Sequence, residues 1–488
     1  MSTTNPFHYP NPISPEAFVG RRALLRDVSK SLIEDPGASY AIIAGRRLGK
    51  TSLLMSIAHH LNISKQTNDT HWQALPIFFD FQSRRFSSQE NFYATILNEI
   101  RRRVDLLAPD KPETVFSEQI LIDSEIRSLC QSSDISLYDF QQAVKQILTQ
   151  LDKPGRRVRL VLLLDEVDRI ISQGLLDSLG DGLRSLISSS DIKSRVRLVI
   201  TGSRELFDVV TVGSPFLNIL RKSHLTSFTK VEINDLASKT NKFTDDIVAA
   251  VWKQSGGHPL IAQYLFHHLW SKNKKGRTVK AVEKIALNFQ HEHLDDIEGW
   301  ALAAGKSGLN TYKILAATDG WFDENDIYKL ISNQKTNINH DLLNLSCHGL
   351  IAHEDWQRYK YSGLVFKTWF DSSGAIFMDI VIPQISTKEE NIKKSDGNLT
   401  MPNSNGRSNN NKPLGWPIAI ISYTLSSLLI TVVIALVISK MISPEQFIPF
   451  FVVLVLVIMT ILVGVDKLTG EQFLKVVENL IDKIFHKP

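Results

Sequence analysis

Cysteine is scarce. The 488 residues carry two, Cys130 and Cys347, far apart and without metal-ligand spacing. That excludes a disulfide framework or a thiolate metal site and predicts reduced thiols in a cytosolic body. Charge of one sign is also lacking: 55 basic residues stand against 51 acidic ones, a net +4, so nothing in the overall balance calls for nucleic acid. The first residues, MSTTNPFHYPNP, lack the basic start and apolar core of a secretory signal. The clustered histidines, His59–His60, His267–His268 and His291/His293, have spacings that do not share a helix face and so argue against metal ligation. The basic clusters Arg101–Arg103 and Lys272–Arg277 read as solvated faces and loops. No long repeat array is visible, so the sequence names no sensor.

What is present is concentrated in Tyr40–Leu54, YAIIAGRRLGKTSLL. An apolar run predicts a buried strand over 40–44, a tight loop over 45–49 and a helix opening at Lys50. Such a loop gathers backbone N–H groups at one spot, and the helix dipole reinforces them. The phosphate-contacting set is Ala44, Gly45, Arg46, Arg47, Leu48, Gly49, Lys50, Thr51 and Ser52. In this arrangement Lys50 reaches the outer phosphates and the Thr51 hydroxyl ligates Mg²⁺. The pattern departs from Gly-x₄-Gly-Lys-Ser/Thr at one place: Ala44 stands where the first glycine belongs, with Gly45 following it. The expectation is therefore triphosphate binding with slow hydrolysis.

A second motif, Arg159–Asp168 (RLVLLLDEVD), supports the first. Five consecutive aliphatics, Leu160–Leu164, predict a strand buried on both faces, as in a parallel sheet. It ends in Asp165-Glu166, carboxylates that are costly to desolvate unless they act at the strand's carboxyl end, where open α/β sheets bind ligands. In a P-loop ATPase the first acid holds the metal's water shell and the second activates the attacking water. Further strands are predicted at Leu75–Phe81 and Val196–Thr201, with helices at Asn91–Val104 and Leu137–Leu151. The fold class is α/β, a doubly wound parallel sheet. Ser203 and Arg204, just past a strand neighbouring the acid-bearing one, are candidates for sensing the γ-phosphate.

The C-terminal fifth changes the class. Trp416–Ser439 and Phe447–Val465 are uncharged apolar runs, about 36 and 28 Å long as helices, each able to cross a hydrocarbon core. The short joint between them predicts an antiparallel hairpin. Lysine and arginine crowd the outer flanks (Lys388, Lys393, Lys394, Arg407, Lys412; Lys467, Lys475, Lys483, Lys487), whereas the joint carries only Lys440. That bias predicts a multi-pass protein of the inner (plasma) membrane with both termini cytoplasmic. A flexible Asn/Ser/Lys/Gly-rich linker precedes the hairpin. After it, Phe473, Val477, Leu480 and Ile484 share one helical face, giving an amphipathic tail that lies on the membrane, pairs with copies of itself or packs on the body.

Four landmarks carry a family resemblance: Phe18-Val19-Gly20-Arg21, GRRLGKTSLL, LLLDEVD and Ser255-Gly256-Gly257-His258-Pro259. Over roughly residues 6–372 the chain resembles the STAND branch of AAA+-related P-loop ATPases, in particular the prokaryotic AAA-like or archaeal-type group. The resemblance implies ATP and Mg²⁺ as ligands, Val19 and Gly20 beside the base or ribose, and His258 and Pro259 in a helical lid that reports nucleotide state. The candidate catalytic residues are Glu166, Lys50 and Arg204, with Thr51 and Asp165 binding the metal; the resemblance adds homo-oligomerisation on activation. The acidic residue expected shortly after the Gly-Arg is absent, Leu24 and Leu25 occupying that region. Helical stretches at Thr311–Ala317, Asp323–Ile331 and His340–His348, followed by a strand-like wing, predict a winged helix. Its third helix, HDLLNLSCH, lacks Lys and Arg, so a role packed on the nucleotide is expected rather than DNA binding.

The expected organisation is a P-loop core over 1–235, lid over 236–305, winged helix over 306–385, linker over 386–415, transmembrane hairpin over 416–465 and tail over 466–488. The expected function is a membrane-anchored ATP switch whose oligomerisation drives the hairpin as an effector, in signalling or antiphage defence. The alternatives are a membrane-tethered AAA+ remodelling ATPase and a membrane-bound winged-helix regulator of DNA.

Overall fold

The computed structural model describes residues 4–63, 72–82, 86, 88–105, 124–152, 154–155, 157–173, 175–188, 192–203, 206–208, 216–330 and 337–381. Arg204 and the expected linker, hairpin and tail lie outside these residues. Among the described residues no helix is long and apolar enough to cross a membrane.

The chain runs α1 (Arg22–Glu34), β1 (Tyr40–Ile43), α2 (Lys50–Ile63), β2 (Trp72–Asp80), α3 (Gln89–Asp105), α4 (Ser124–Gln131), α5 (Leu137–Leu151) and β3 (Arg157–Asp165). It continues through α6 (Asp168–Ser172), α7 (Leu176–Ser188), β4 (Val196–Gly202) and β5 (Arg221–His224). These strands form one parallel sheet in the order β2-β3-β4-β1-β5. The aliphatic run in β3 behaves as its composition demands. Leu160, Leu162 and Leu164 face a core shared with α3, α5 and α7, while Val161 and Leu163 face one shared with α1 and α2. Each of these side chains contributes about 2 kcal/mol by leaving water. Helix α5 begins where Ser136 accepts the amide of Asp139, an N-cap that satisfies a donor with no helical partner.

The second half is mostly helical: α8 (Lys230–Ala237), α9 (Asp245–Ser255), α10 (Pro259–Trp270), α11 (Val279–Glu292), α12 (Leu294–Ala317), α13 (Glu324–Leu330), α14 (Ile338–Cys347) and α15 (Leu364–Trp369). A capping box between Thr229 and Glu232 starts α8. Pro259 fixes the first turn of α10, where its missing N–H costs nothing. Non-helical backbone at Gly305 breaks α12 in two. The stretch expected at Thr311–Ala317 is thus the end of a longer helix. Three short strands, β6 (Phe322–Asp323), β7 (Ile351–Glu354) and β8 (Arg358–Tyr361), form an antiparallel sheet in the order β6-β8-β7. One core built on Tyr264, Phe266, Trp300 and Tyr312 runs through all of this half.

An N-terminal strap ties the halves together. Asn5 donates to the His267 carbonyl at 3.1 Å and Phe7 is fully buried in the helical core. Further along, the Pro10 carbonyl accepts from Arg47 at 3.1 Å, and the Ile13 amide donates to Ser52 Oγ at 3.0 Å.

Candidate nucleotide site

The loop between β1 and α2 sits beside the tips of β4 and β5, where the strand order departs from chain order. Lys50 opens α2 with its side chain folded back over the loop: Nζ donates to the carbonyls of Ala44 and Gly45, both at 3.1 Å, and the residue is only 5% exposed. Leu48 is fully buried beneath the loop. Arg46 is exposed; Arg47, in a left-handed conformation, pairs with Asp296 of α12 at 3.3 Å. Thr51 lies half-buried in the same first turn. The Ser52 hydroxyl accepts from the strap.

Across β4 stands the carboxylate pair. Asp165 is 1% exposed; its Oδ1 accepts from the Thr201 hydroxyl and from the Glu166 amide, the latter at 3.2 Å. Glu166 adopts φ +59°, a conformation disfavoured for a side chain of its size. Burial pushes its carboxyl above the usual range; Lys50 opposes this, Asp165 and Asp168 add to it, and Arg46 opposes it. A disfavoured backbone conformation and a raised acid coincide in this residue, which makes it a candidate functional position. Ser203 follows β4, its amide bound to Asp168 Oδ2 at 2.6 Å.

The helical half closes over the loop. The Gly45 amide donates to the Cys347 carbonyl at 2.6 Å. A Cβ on Gly45 would lie 2.7 Å from His348 Cδ2 and 2.9 Å from its Cα, so only glycine permits this approach. Next to it Gly349, at φ +70°, leaves room for Ser227, His258 and Leu48, each within 3.3 Å of where a Cβ would stand. His258 is 1% exposed with neither ring nitrogen hydrogen-bonded, and its ring centroid is 4.3 Å from that of Trp300. Burial drives its pKa down to about 3, Asp296 pulling the other way. Val19 packs on the helical core and Gly20 lies against Phe228.

Sequence reasoning passed over Arg21. Its amide donates to Glu232 and its Nη2 to the Thr226 carbonyl at 3.1 Å. Nη1 lies 3.0 Å from where a Gly49 Cβ would stand. Burial lowers its pKa to about 10 against the pull of Glu232. The Gly-Arg landmark was the available signal. Asp168, Thr201, Cys347 and His348 were not singled out either, because their contacts are with partners distant in sequence.

The residues present fit ATP and Mg²⁺. Thr51 and Asp165 offer the hard oxygen donors that Mg²⁺ takes beside phosphate oxygens and water. Among the described residues no cluster of three or more His, Cys, Asp and Glu forms a separate metal site.

The AAA-like domain family matches residues 10–348. No curated protein matches the sequence. Among solved structures, a Walker-type ATPase of Pyrococcus abyssi is similar at 16% identity and a TM-score of 0.45, over 74% of this chain and 99% of that one. The ORC2 protein of Aeropyrum pernix, in ADPNP–ADP complexes, is similar at 13% identity and a TM-score of 0.39, over 75% and 97%. A RuvB mutant of Thermotoga maritima is similar at 16% identity and a TM-score of 0.35, over 76% and 99%. The family match spans most of the chain and ends at the histidine that abuts Gly45: the chain belongs to the AAA-like domain family and carries an AAA-like P-loop ATPase domain.

Proposed function

We propose that the protein is an ATP-dependent switch of the STAND type, anchored in the membrane by its C-terminal apolar runs. ATP binds at the loop, Lys50 holding the outer phosphates and Thr51 and Asp165 the Mg²⁺. Glu166 takes the proton of the attacking water, while Ser203 and Arg204 sense the γ-phosphate. Bound Mg²⁺ supplies charge neutralisation and orients the phosphates. Arg21 and the lid residues His258 and Pro259 report which nucleotide is present.

The observation that carries this reading is the contact of α14 with the loop. The segment α13–α14–β7–β8, which we read as a winged helix, presses Cys347 and His348 onto Gly45. Helix α14 buries Leu342, Leu345 and Cys347 and carries no Lys or Arg, which favours a packing role over DNA recognition. A loop that changes shape on binding nucleotide must carry this segment with it or release it. Release would permit self-association and cluster the hairpin in the bilayer, an effector arrangement suited to signalling or antiphage defence.

The test is a mass measurement of the detergent-solubilised full chain with ADP and with a non-hydrolysable ATP analogue. The analogue is expected to raise the assembly mass and Lys50→Ala to abolish the rise. Equal mass with both nucleotides overturns the switch, and brisk turnover with rapid ADP release selects the remodelling ATPase instead.

A further inference from the structure

We infer that Thr201 and Asp168 form a reciprocal brace across the tips of β3 and β4, Thr201 orienting the Asp165 carboxylate and Asp168 holding Ser203 in place. Both are positioning residues for the ATP site, and the inference rests on the ATPase reading above. The ladder between these strands pairs Leu160–Leu164 with residues 196–200 and goes no further. Beyond it the regular ladder gives way to side-chain contacts at the carboxyl ends of the strands, the end at which open α/β sheets bind ligands.

Two side chains take over there, pointing in opposite directions. From β4, the fully buried Thr201 donates its hydroxyl to Asp165 Oδ1. The Glu166 amide lands on the same oxygen at 3.2 Å. Both bonds fall on Oδ1, so they stop the otherwise broad rotation of the carboxylate and leave Oδ2 to carry its remaining capacity. From α6, Asp168 returns the grip. Its Oδ2 accepts the Ser203 amide at 2.6 Å and the Ser203 hydroxyl at 3.2 Å, and its Oδ1 accepts the Leu206 amide at 3.0 Å. The Val167 amide adds a bond to the Thr201 carbonyl at 2.9 Å. Gly202 lies inside the brace: a Cβ there would stand 2.6 Å from Leu206 Cβ and 3.1 Å from Asp168 Oδ2.

The arrangement divides the labour. The short amide bond fixes the Ser203 backbone, while its longer hydroxyl bond is the one free to exchange Asp168 for another acceptor, such as a phosphate oxygen. Thr201 therefore acts through the metal-holding acid and Asp168 through the phosphate-sensing serine.

The experiment uses the detergent-solubilised full chain with Thr201→Val, Thr201→Ser and Asp168→Asn. Binding of a fluorescent ADP analogue is titrated against Mg²⁺, and kcat, KM and melting temperature are measured beside it. Valine matches threonine in shape but lacks the hydroxyl. Thr201→Val is expected to raise the half-saturating Mg²⁺ about tenfold and Thr201→Ser to keep it within about twofold, the scale on which groups behind a metal ligand act. Asp168→Asn is expected to leave ADP binding unchanged, to lower kcat about tenfold, and to raise KM as it narrows the preference for an ATP analogue over ADP. Serine as impaired as valine overturns the inference, as does an Asp168→Asn loss that merely follows the folded fraction. An unsubstituted chain that binds no nucleotide overturns the ATPase reading itself, a result visible before any variant is compared.

Discussion

Glu166 shows how much one residue's surroundings decide. Its folded-state pKa is raised, chiefly by burial, so the fold binds its proton more tightly than the unfolded chain does. The stabilisation is therefore complete below the unfolded value near ~4.3 and is lost as pH rises through the folded value. At neutral pH the ionised side chain is a net cost. Glu166→Gln is expected to raise the melting temperature at pH 7 while lowering hydrolysis by about a hundredfold or more, with nucleotide binding retained. An unchanged or lower melting temperature would contradict the raised pKa. The acid limb of the wild-type rate profile should lie at higher pH than an ordinary carboxylate gives. Residues of this kind are legible from sequence because their chemistry ties residue type to local spacing: Lys50 must follow a tight loop, and Asp165-Glu166 must end a buried strand. Arg21 and Asp168 are not legible that way. The Arg21 amide meets Glu232 and Asp168 grips Ser203 only after the fold brings them together.

At the scale of elements, legibility follows burial. Strand β3, buried along nearly its whole length, announced itself as an aliphatic run. Helix α5 has its observed bounds, Leu137–Leu151, as expected. Strand β5 (RKSH) went unpredicted because its side chains are exposed or half-buried and so carry no apolar signature. The contact of α14 with the loop lay beyond sequence reasoning in detail, since neither a carbonyl at Cys347 nor a glycine at Gly45 has a signature of its own. It is nonetheless tightly constrained. Gly45→Ala is expected to destabilise the chain by about 1–3 kcal/mol, the usual cost of forcing a methyl group into packed surroundings. Gly299→Ala, in α12 with nothing within 4 Å of the added carbon, should stabilise it by about 0.4–1 kcal/mol. Thermal melts of the two variants give opposite signs if the docking of α14 persists in solution. A neutral Gly45→Ala would mean that α14 stands away from the loop.

For the whole molecule the strongest sequence signal, the pair of apolar runs, lies outside the described residues, and the proposed anchor is tested directly. The full chain should resist alkaline carbonate extraction from membranes. Leu428→Arg with Leu454→Arg, one near the middle of each run, should release a large part of it, each charge costing about 2.5–3.5 kcal/mol at a bilayer centre. Complete extraction of the unsubstituted chain would remove the anchor from the proposal. The bond from Gly45 to the Cys347 carbonyl then acquires a second meaning. Coupling between two sites is one free energy and has no preferred direction. If nucleotide occupancy alters the hold of α14 on the loop, anything that pulls on α14 alters nucleotide affinity by the same factor. Mechanical load arriving through the chain beyond α15 would then be read out chemically, as faster or slower loss of ADP.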